Sequence, residues 1–162
     1  MIIHIKNKIT FIIDDFKFKC CVGKNGLKSN KKENDYATPK GLYDLKKLYF
    51  RKDHVGIPKC KIEKKIIKKN MAWCDDPTDK RYNEEIRIYN KKLKENLYRA
   101  DHKYDYLISI SHNERKIPNK GSAIFIHLTD NYKPTAGCIA LKRKDFEILL
   151  KLIDKKTKIK IS

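Results

Sequence analysis

Gly121-Ser122-Ala123-Ile124-Phe125-Ile126-His127, followed by Thr135-Ala136-Gly137-Cys138-Ile139-Ala140-Leu141, is the part of this chain whose reading decides its fold. Both runs are short and apolar, and a loop containing Pro134 and Gly137 joins them, so each reads as a strand. Alternation along the first puts Ile124, Ile126 and Leu128 on one face and Ala123, Phe125 and His127 on the other. After the loop, Cys138 and Ala140 share a face, while Ile139 and Leu141 share the opposite one. The aliphatic faces are the natural core side, which leaves imidazole and thiol together on the second face. If the strands pair, facing Cβ atoms lie about 5 Å apart, and a Cys–His hydrogen bond follows without strain. A neighbouring imidazole raises the thiolate fraction of a cysteine, which is otherwise low at neutral pH. Gly137 removes bulk beside Cys138, so backbone N–H groups there can approach a developing oxyanion.

The rest of the chain is consistent with a sheet. Residues 1–6 and 8–13 flank a polar turn at Asn7. Phe16, Phe18, Cys20 and Val22 then alternate with Lys17, Lys19 and Cys21 as a half-buried strand does. Residues 23–38 read as a polar loop ended by Pro39-Lys40-Gly41. Residues 42–50 resume a strand, 62–73 are a weaker candidate, and 106–110 are a clear one. Residues 75–97 open on the turn signal Asp75-Asp76-Pro77 and continue as a long loop or a short helix. Phe146, Leu149, Leu150 and Ile153 recur at helical spacing, with Asp145 placed to cap, which predicts a short amphipathic helix near the C-terminus. Residues 157–161 alternate and return to the sheet. With no linker and no internal repeat, the chain reads as one mainly β domain over residues 1–162.

The chain carries 39 Lys and Arg against 20 Asp and Glu, a net charge of +19. Only Arg51, Arg81, Arg87, Arg99, Arg115 and Arg143 are arginines; the lysines run from end to end among many Ile and Asn. Such a charge favours polyanionic partners and anionic surfaces. Scarce arginine and the lack of a basic–aromatic motif argue against nucleic acid as the partner, and the lysines read mainly as a solvated surface. A basic polyanion-binding protein with a decayed site is the alternative from a different class. Cys20, Cys21, Cys60, Cys74 and Cys138 form no CxxC pair and no zinc spacing, so no metal is expected. No run has the length of a membrane span, and residues 1–6 lack the apolar stretch of a secretion signal. His4, His54 and His112 stand in polar or turn contexts and are given no role, and Asp101 with His102 reads as a surface ion pair.

His127 with Thr135-Ala136-Gly137-Cys138 resembles the catalytic core of the L,D-transpeptidase (YkuD) family, whose motif is a histidine, a spacer and Ser/Thr-His-Gly-Cys. Thr38-Pro39-Lys40-Gly41 is similar to the family's Thr-Pro-x-Gly segment ahead of a strand. Trp73-Cys74-Asp75-Asp76-Pro77 with Tyr82-Asn83, Asp101 with Tyr104-Asp105, and residues 121–127 look like a proteobacterial branch with a shortened His-to-Cys spacer. The ordered set covers about residues 17–150.

The resemblance implies a β-sandwich-like catalytic domain with Cys138 as nucleophile and His127 as base. Gly137 would help shape the oxyanion hole, and Thr135 would hold the Ser/Thr position. Trp73, Asp75, Asp76 and Arg81 are candidates for a substrate wall, and Ser122 for a hydrogen bond that positions His127. The implied reaction is formation of a cysteine acyl-enzyme on a peptidoglycan stem peptide. An amine such as that of diaminopimelate then resolves it into a 3,3 or 1,3 cross-link. Resolution by water would make the same site a carboxypeptidase or other cysteine peptidase on muropeptides. The implied partners are stem peptides and glycan strands, with carbapenems as covalent inhibitors and no cofactor. The expected protein is a monomer of the periplasm or cell wall, despite no evident signal. Ala136 stands where the motif has histidine, and Ala140 where many members carry Arg or Asn. The chemistry is thus expected to be kept and the substrate contacts changed.

Overall fold

The computed structural model describes residues 1–88 and 94–162. In chain order the strands begin with β1 (Ile2–Lys6), β2 (Thr10–Ile13), β3 (Phe16–Lys19), β4 (Leu27–Lys28), β5 (Thr38–Pro39) and β6 (Gly41–Phe50). A one-turn helix, α1 (Lys52–Val55), precedes β7 (Glu63–Ile66), β8 (Met71–Cys74), β9 (Glu85–Arg87) and β10 (Lys94–Asn96). Then come β11 (Tyr106–Ile110), β12 (Phe125–Leu128), β13 (Ile139–Leu141), helix α2 (Arg143–Leu152) and β14 (Lys158–Ile161).

Four expectations change, the first being that the stretch expected as a polar loop at 23–38 supplies β4, which pairs in parallel with β5. The single candidate at 62–73 is two strands, because the polar turn at Lys69-Asn70 breaks it. β7 lies parallel to β6, and β8 belongs to a separate three-stranded sheet. The region expected as loop or helix after residue 75 supplies β9 and β10, which flank β8; its residues 89–93 lie outside the described residues. Asp145 does not cap α2. The extended backbone of Lys142 occupies the cap, and Asp145 lies in the first turn, where its charge still complements the positive helix end.

The main sheet runs β13-β12-β11-β6-β14-β1-β2-β3, with β7 added along β6. Its ends meet. Just past β3, Cys21 N donates to Ala140 O at 3.0 Å and Ala140 N donates back at 2.9 Å. The mainly β, sandwich-like fold expected from the sequence is therefore drawn into a nearly closed barrel. Ile3, Phe11, Leu48, Ile108, Ile126 and Phe146 are fully buried inside it. Helix α2 packs on the core with the face that its spacing defines: Phe146, Leu149, Leu150 and Ile153 are buried, and Phe146 stacks on Tyr106 at 5.5 Å.

A polar knot ties α1, β11 and α2 together. The buried Asp105 carboxylate accepts from His54 Nδ1 at 2.6 Å, His102 Nδ1 at 3.1 Å and Arg143 at 2.5 Å. Burial alone would raise its pKa, but these donors hold it below the usual carboxylate value. The ligand atoms of His54, His102 and Asp105 lie close enough together to suit a metal. However, Arg51 donates to His54 Nε2 at 3.0 Å, which fixes the proton on Nδ1 and leaves that atom no lone pair to give. The knot is a hydrogen-bond hub. His102 thus pairs with Asp105, whereas Asp101 pairs with Arg99.

Phe146→Ala leaves a cavity between α2 and the barrel, and urea unfolding is expected to show a loss of about 3–5 kcal/mol.

Candidate active site

β12 and β13 pair in parallel, with Ile126 opposite Ile139 and His127 opposite Ala140. The faces fall as alternation requires. Ile124, Ile126, Leu128, Ile139 and Leu141 join the main core, while Phe125 and Cys138 join a second cluster with Tyr49, Tyr104 and Leu107. The register, however, sets Cys138 beside Phe125, two residues short of the position opposite His127. The direct Cys–His hydrogen bond expected from facing positions is not formed among the described residues. Instead, the Cys138 thiol donates to Ala123 O at 3.2 Å and accepts from Phe125 N at 3.4 Å. His127 Nδ1 contacts Leu128 O at 2.9 Å. A carbonyl only accepts, so Nδ1 carries the proton and Nε2 keeps its lone pair.

The loop before Cys138 is fixed at several points. Thr135 Oγ1 accepts from Gly137 N at 3.1 Å and donates to Cys138 O at 2.6 Å. Thr38 Oγ1, from the Thr-Pro-x-Gly segment, donates to Gly137 O at 2.7 Å and accepts from Gly23 N at 2.9 Å. Gly137 has φ +150, and a Cβ there would meet Ala37 O at 3.0 Å, so only glycine lets these backbones approach so closely. With the Gly137 N–H taken by Thr135, the Cys138 N–H is the donor beside the sulfur that no described group engages.

Cys138 and His127 line one cavity of about 390 Å³. Its walls carry both signs of charge: Lys31, Arg99, Lys103 and Lys133 against Glu33, Asp75 and Glu95. Lys31 is buried and held by Asp35 at 2.5 Å. Tyr104 packs edge-on against His127 at 5.2 Å and donates to Glu95 at 2.7 Å. Burial pushes the Cys138 thiol up to about 12, against the weaker help of the Phe125 N–H, and pushes the His127 imidazole down to about 4. At rest the pair is a neutral thiol and a neutral imidazole.

The residues singled out from the sequence divide. Thr135, Gly137, Ser122 and Asp75 line the cavity together with Cys138 and His127. Ser122 Oγ makes no hydrogen bond to His127. It stands instead within hydrogen-bond reach of the Tyr82 hydroxyl, and Asp75 Oδ1 is unpartnered among the described residues. Trp73, Asp76 and Arg81 do not line the cavity. Asp76 caps its own turn through Thr78, and Arg81 forks onto Asp79, so both spend their charge locally. Trp73 faces a separate, larger open groove and buttresses the site from behind, edge-on to Phe125 at 5.1 Å.

Asn83, which carries part of the family resemblance but had no expected role, is a positioning residue. Its Oδ1 accepts from Trp73 Nε1 at 2.9 Å and from Ala123 N at 3.1 Å. It thereby fixes the residue whose carbonyl holds the Cys138 thiol. Lys31, Glu33, Glu95 and Lys103 were also missed. They stand in polar stretches without periodicity, and only the fold carries them to the cavity.

The closed sheet and its cysteine–histidine cavity define the class of domain. The family model described as the L,D-transpeptidase catalytic domain (YkuD) matches residues 1–161, and the chain belongs to that family. Among solved structures it is similar to Pgp2, the helical cell shape determining protein of Campylobacter jejuni. There the TM-score is 0.54 at 18% identity, over 99% of this chain and 46% of that one. It is also similar to Bd1075 of Bdellovibrio bacteriovorus, with a TM-score of 0.51 at 14% identity, over 99% of this chain and 47% of that one. This chain thus spans less than half the length of either, and the likeness is one of fold. Among curated proteins, none matches the sequence.

His127 stays neutral to about pH 4 when folded but titrates near 6.5 when unfolded. Between those values the unfolded chain holds a proton that the folded chain lacks. Stability is therefore unaffected above about pH 6.5 and falls as pH drops toward 4. At about 1.4 kcal/mol per unit, the loss is of order 3 kcal/mol. Urea titrations at pH 7 and pH 4.5 are expected to show a steeper loss in the native chain than in His127→Gln.

Proposed function

We propose that this domain is a cysteine acyltransferase acting on peptidoglycan stem peptides, joining them through a thioester on Cys138. The observation that carries the reading is the joint placement of Cys138 and His127 on one face of the sheet, in one cavity, with the Nε2 lone pair of His127 unengaged among the described residues. A thiol held at about 12 beside an imidazole held at about 4 is not a preformed ion pair. Nε2 therefore takes the thiol proton as the sulfur–carbon bond forms. The oxygen of the tetrahedral intermediate gathers negative charge and accepts from the Cys138 N–H. Collapse breaks the amide bond, the imidazolium returns its proton to the departing amine, and the acyl group remains on sulfur. An acceptor amine from a second stem then attacks the thioester, loses its proton to Nε2 and leaves an amide cross-link, of the 3,3 or the 1,3 type. The thiolate recovers that proton from the imidazolium.

The charged wall fits such a substrate. Lys103 and Lys133 are exposed cations at the cavity, suited to the free carboxylates of a stem peptide. Ala136 is exposed at the rim where the family motif has histidine, so no imidazole contacts the substrate there. The reaction assigns the domain to the periplasm or cell wall, and one copy holds every group that the steps use.

Incubation with a carbapenem is expected to add one inhibitor mass to the intact protein and none to Cys138→Ala. Purified muropeptides analysed by mass spectrometry should give cross-linked dimers, with Cys138→Ala slower by at least about 10³-fold. Unlinked products shortened by one residue would assign hydrolysis instead. No adduct and unchanged activity in the variant would overturn the nucleophile.

A further inference from the structure

The lysines are not matched with acids evenly over the fold, and one sheet face gathers them alone. Along β14, β1, β2 and β3, alternation sends Ile3, Ile5, Phe11, Phe18, Ile159 and Ile161 into the barrel. The intervening residues form an outer face and are half-buried or exposed. Ladder register sets them in rows. One row runs Leu42, Lys160, His4, Ile12 and Lys17 across five strands. The next, nearer the β1–β2 turn, runs Lys6, Thr10 and Lys19, and the turn itself adds Lys8 and Ile9. With neighbouring strands about 4.8 Å apart, these lysines share a patch about 15 Å across. Lys6, Lys8, Lys17, Lys19 and Lys160 have no acidic partner among the described residues, whereas Lys47 is matched by Glu63, Lys65 by Glu85 and Lys116 by Glu84. The row on the other side holds Lys158 paired with Asp44, and Asp14 and Asp15 stand at that same end, in the β2–β3 turn. The face is thus basic toward the β1–β2 turn and acidic toward the β2–β3 turn.

Cations gathered this closely repel one another, and an anionic surface brought against them relieves that repulsion. The face is a broad sheet and not a groove, so it suits a surface more than a threaded chain. Its cations are lysines, point charges without the fork by which arginine grips a single phosphate or carboxylate. Leu42 and Ile9 stand among them 55% and 57% exposed. Beside a soluble polyanion such side chains gain nothing, but at a bilayer they enter the boundary between headgroups and acyl chains. We infer that the outer face of β14, β1, β2 and β3 docks on an anionic phospholipid surface, its lysines at the headgroup phosphates and Leu42 and Ile9 at the acyl boundary. The contact is peripheral, since no helix among the described residues is long and apolar enough to cross a membrane. Lys19 lies over the Tyr132 ring at 4.7 Å, one residue from Lys133 on the wall of the Cys138 cavity, so docking sets that cavity beside the bilayer. The inference stands apart from the chemistry proposed for Cys138.

The test is sedimentation of the full chain with phosphatidylcholine vesicles, plain or containing about one third phosphatidylglycerol. Binding is expected to the anionic vesicles alone and should weaken about tenfold or more in about 0.5 M salt. Lys6→Glu, Lys17→Glu and Lys160→Glu combined should weaken it about tenfold or more. If that variant does not fold, the same three positions changed to Gln should show a smaller loss in the same direction. Lys68→Glu, Lys69→Glu and Lys80→Glu combined change the net charge equally at exposed positions off this face, and are expected to leave binding near that of the native chain. Leu42→Ser should weaken binding without altering its salt dependence. Equal loss in the two Glu triple variants assigns the binding to net charge and overturns the face. Absence of binding to the anionic vesicles, with or without capture by heparin, overturns the bilayer as partner.

Discussion

Two main-chain hydrogen bonds between Cys21 and Ala140 hold the end of the β2–β3 hairpin against the β12–β13 pair, and the site hangs on that seam. Ala140 is opposite His127 in the parallel ladder and two residues past Cys138. Closure of the sheet and placement of Cys138 beside Phe125 are consequently one event. The segment before the seam reinforces it. Thr135 N donates to Val22 O at 3.0 Å, Lys24 N to Thr135 O at 2.9 Å, and Thr38 pins Gly137. Because Gly23 has no room for a side chain beneath Tyr36 O, this packing admits little variation in backbone shape.

The interior of the site is buried and its rim is charged, and the two regions do different work. Burial drives thiol and imidazole toward their uncharged forms, so no ion pair has to be kept desolvated in the resting protein. The charges stand around the pair: Lys103 and Lys133 on exposed ground, Glu33 and Asp75 on partly buried ground. Tyr104 joins the two regions, with its ring against His127 and its hydroxyl on Glu95.

How much of this was legible in the sequence depends on which interaction writes a pattern. Alternation at residues 123–128 and 138–141 gave the correct faces, because one face of each strand had to be aliphatic to enter the core. The helix face of α2 was equally plain. Register was not, since side-chain period fixes which face a residue takes but not its partner along the ladder. A parallel pairing therefore displaced the cysteine from the position opposite the histidine. The cavity wall was least legible. Glu33, Glu95 and Lys103 come from polar stretches that resemble any solvated turn, and Trp73 signals bulk without saying which side of Phe125 it supports. Asp76 and Arg81 misled because a charge in a turn motif satisfies its own loop as readily as a ligand.

The seam also fixes when the cavity can form. Thr38 and Gly137, its outer clasp, lie 99 positions apart in the chain, and the Cys21–Ala140 bonds join regions still more distant. Contacts of that separation bear a large loop-closure entropy and are disfavoured early in folding. Hairpins such as β1–β2 can assemble while the thiol still sits in an open, hydrated segment without its carbonyl or N–H contacts. A half-folded chain then carries an ordinary cysteine, and the cavity shared by Cys138 and His127 appears only once the barrel has shut.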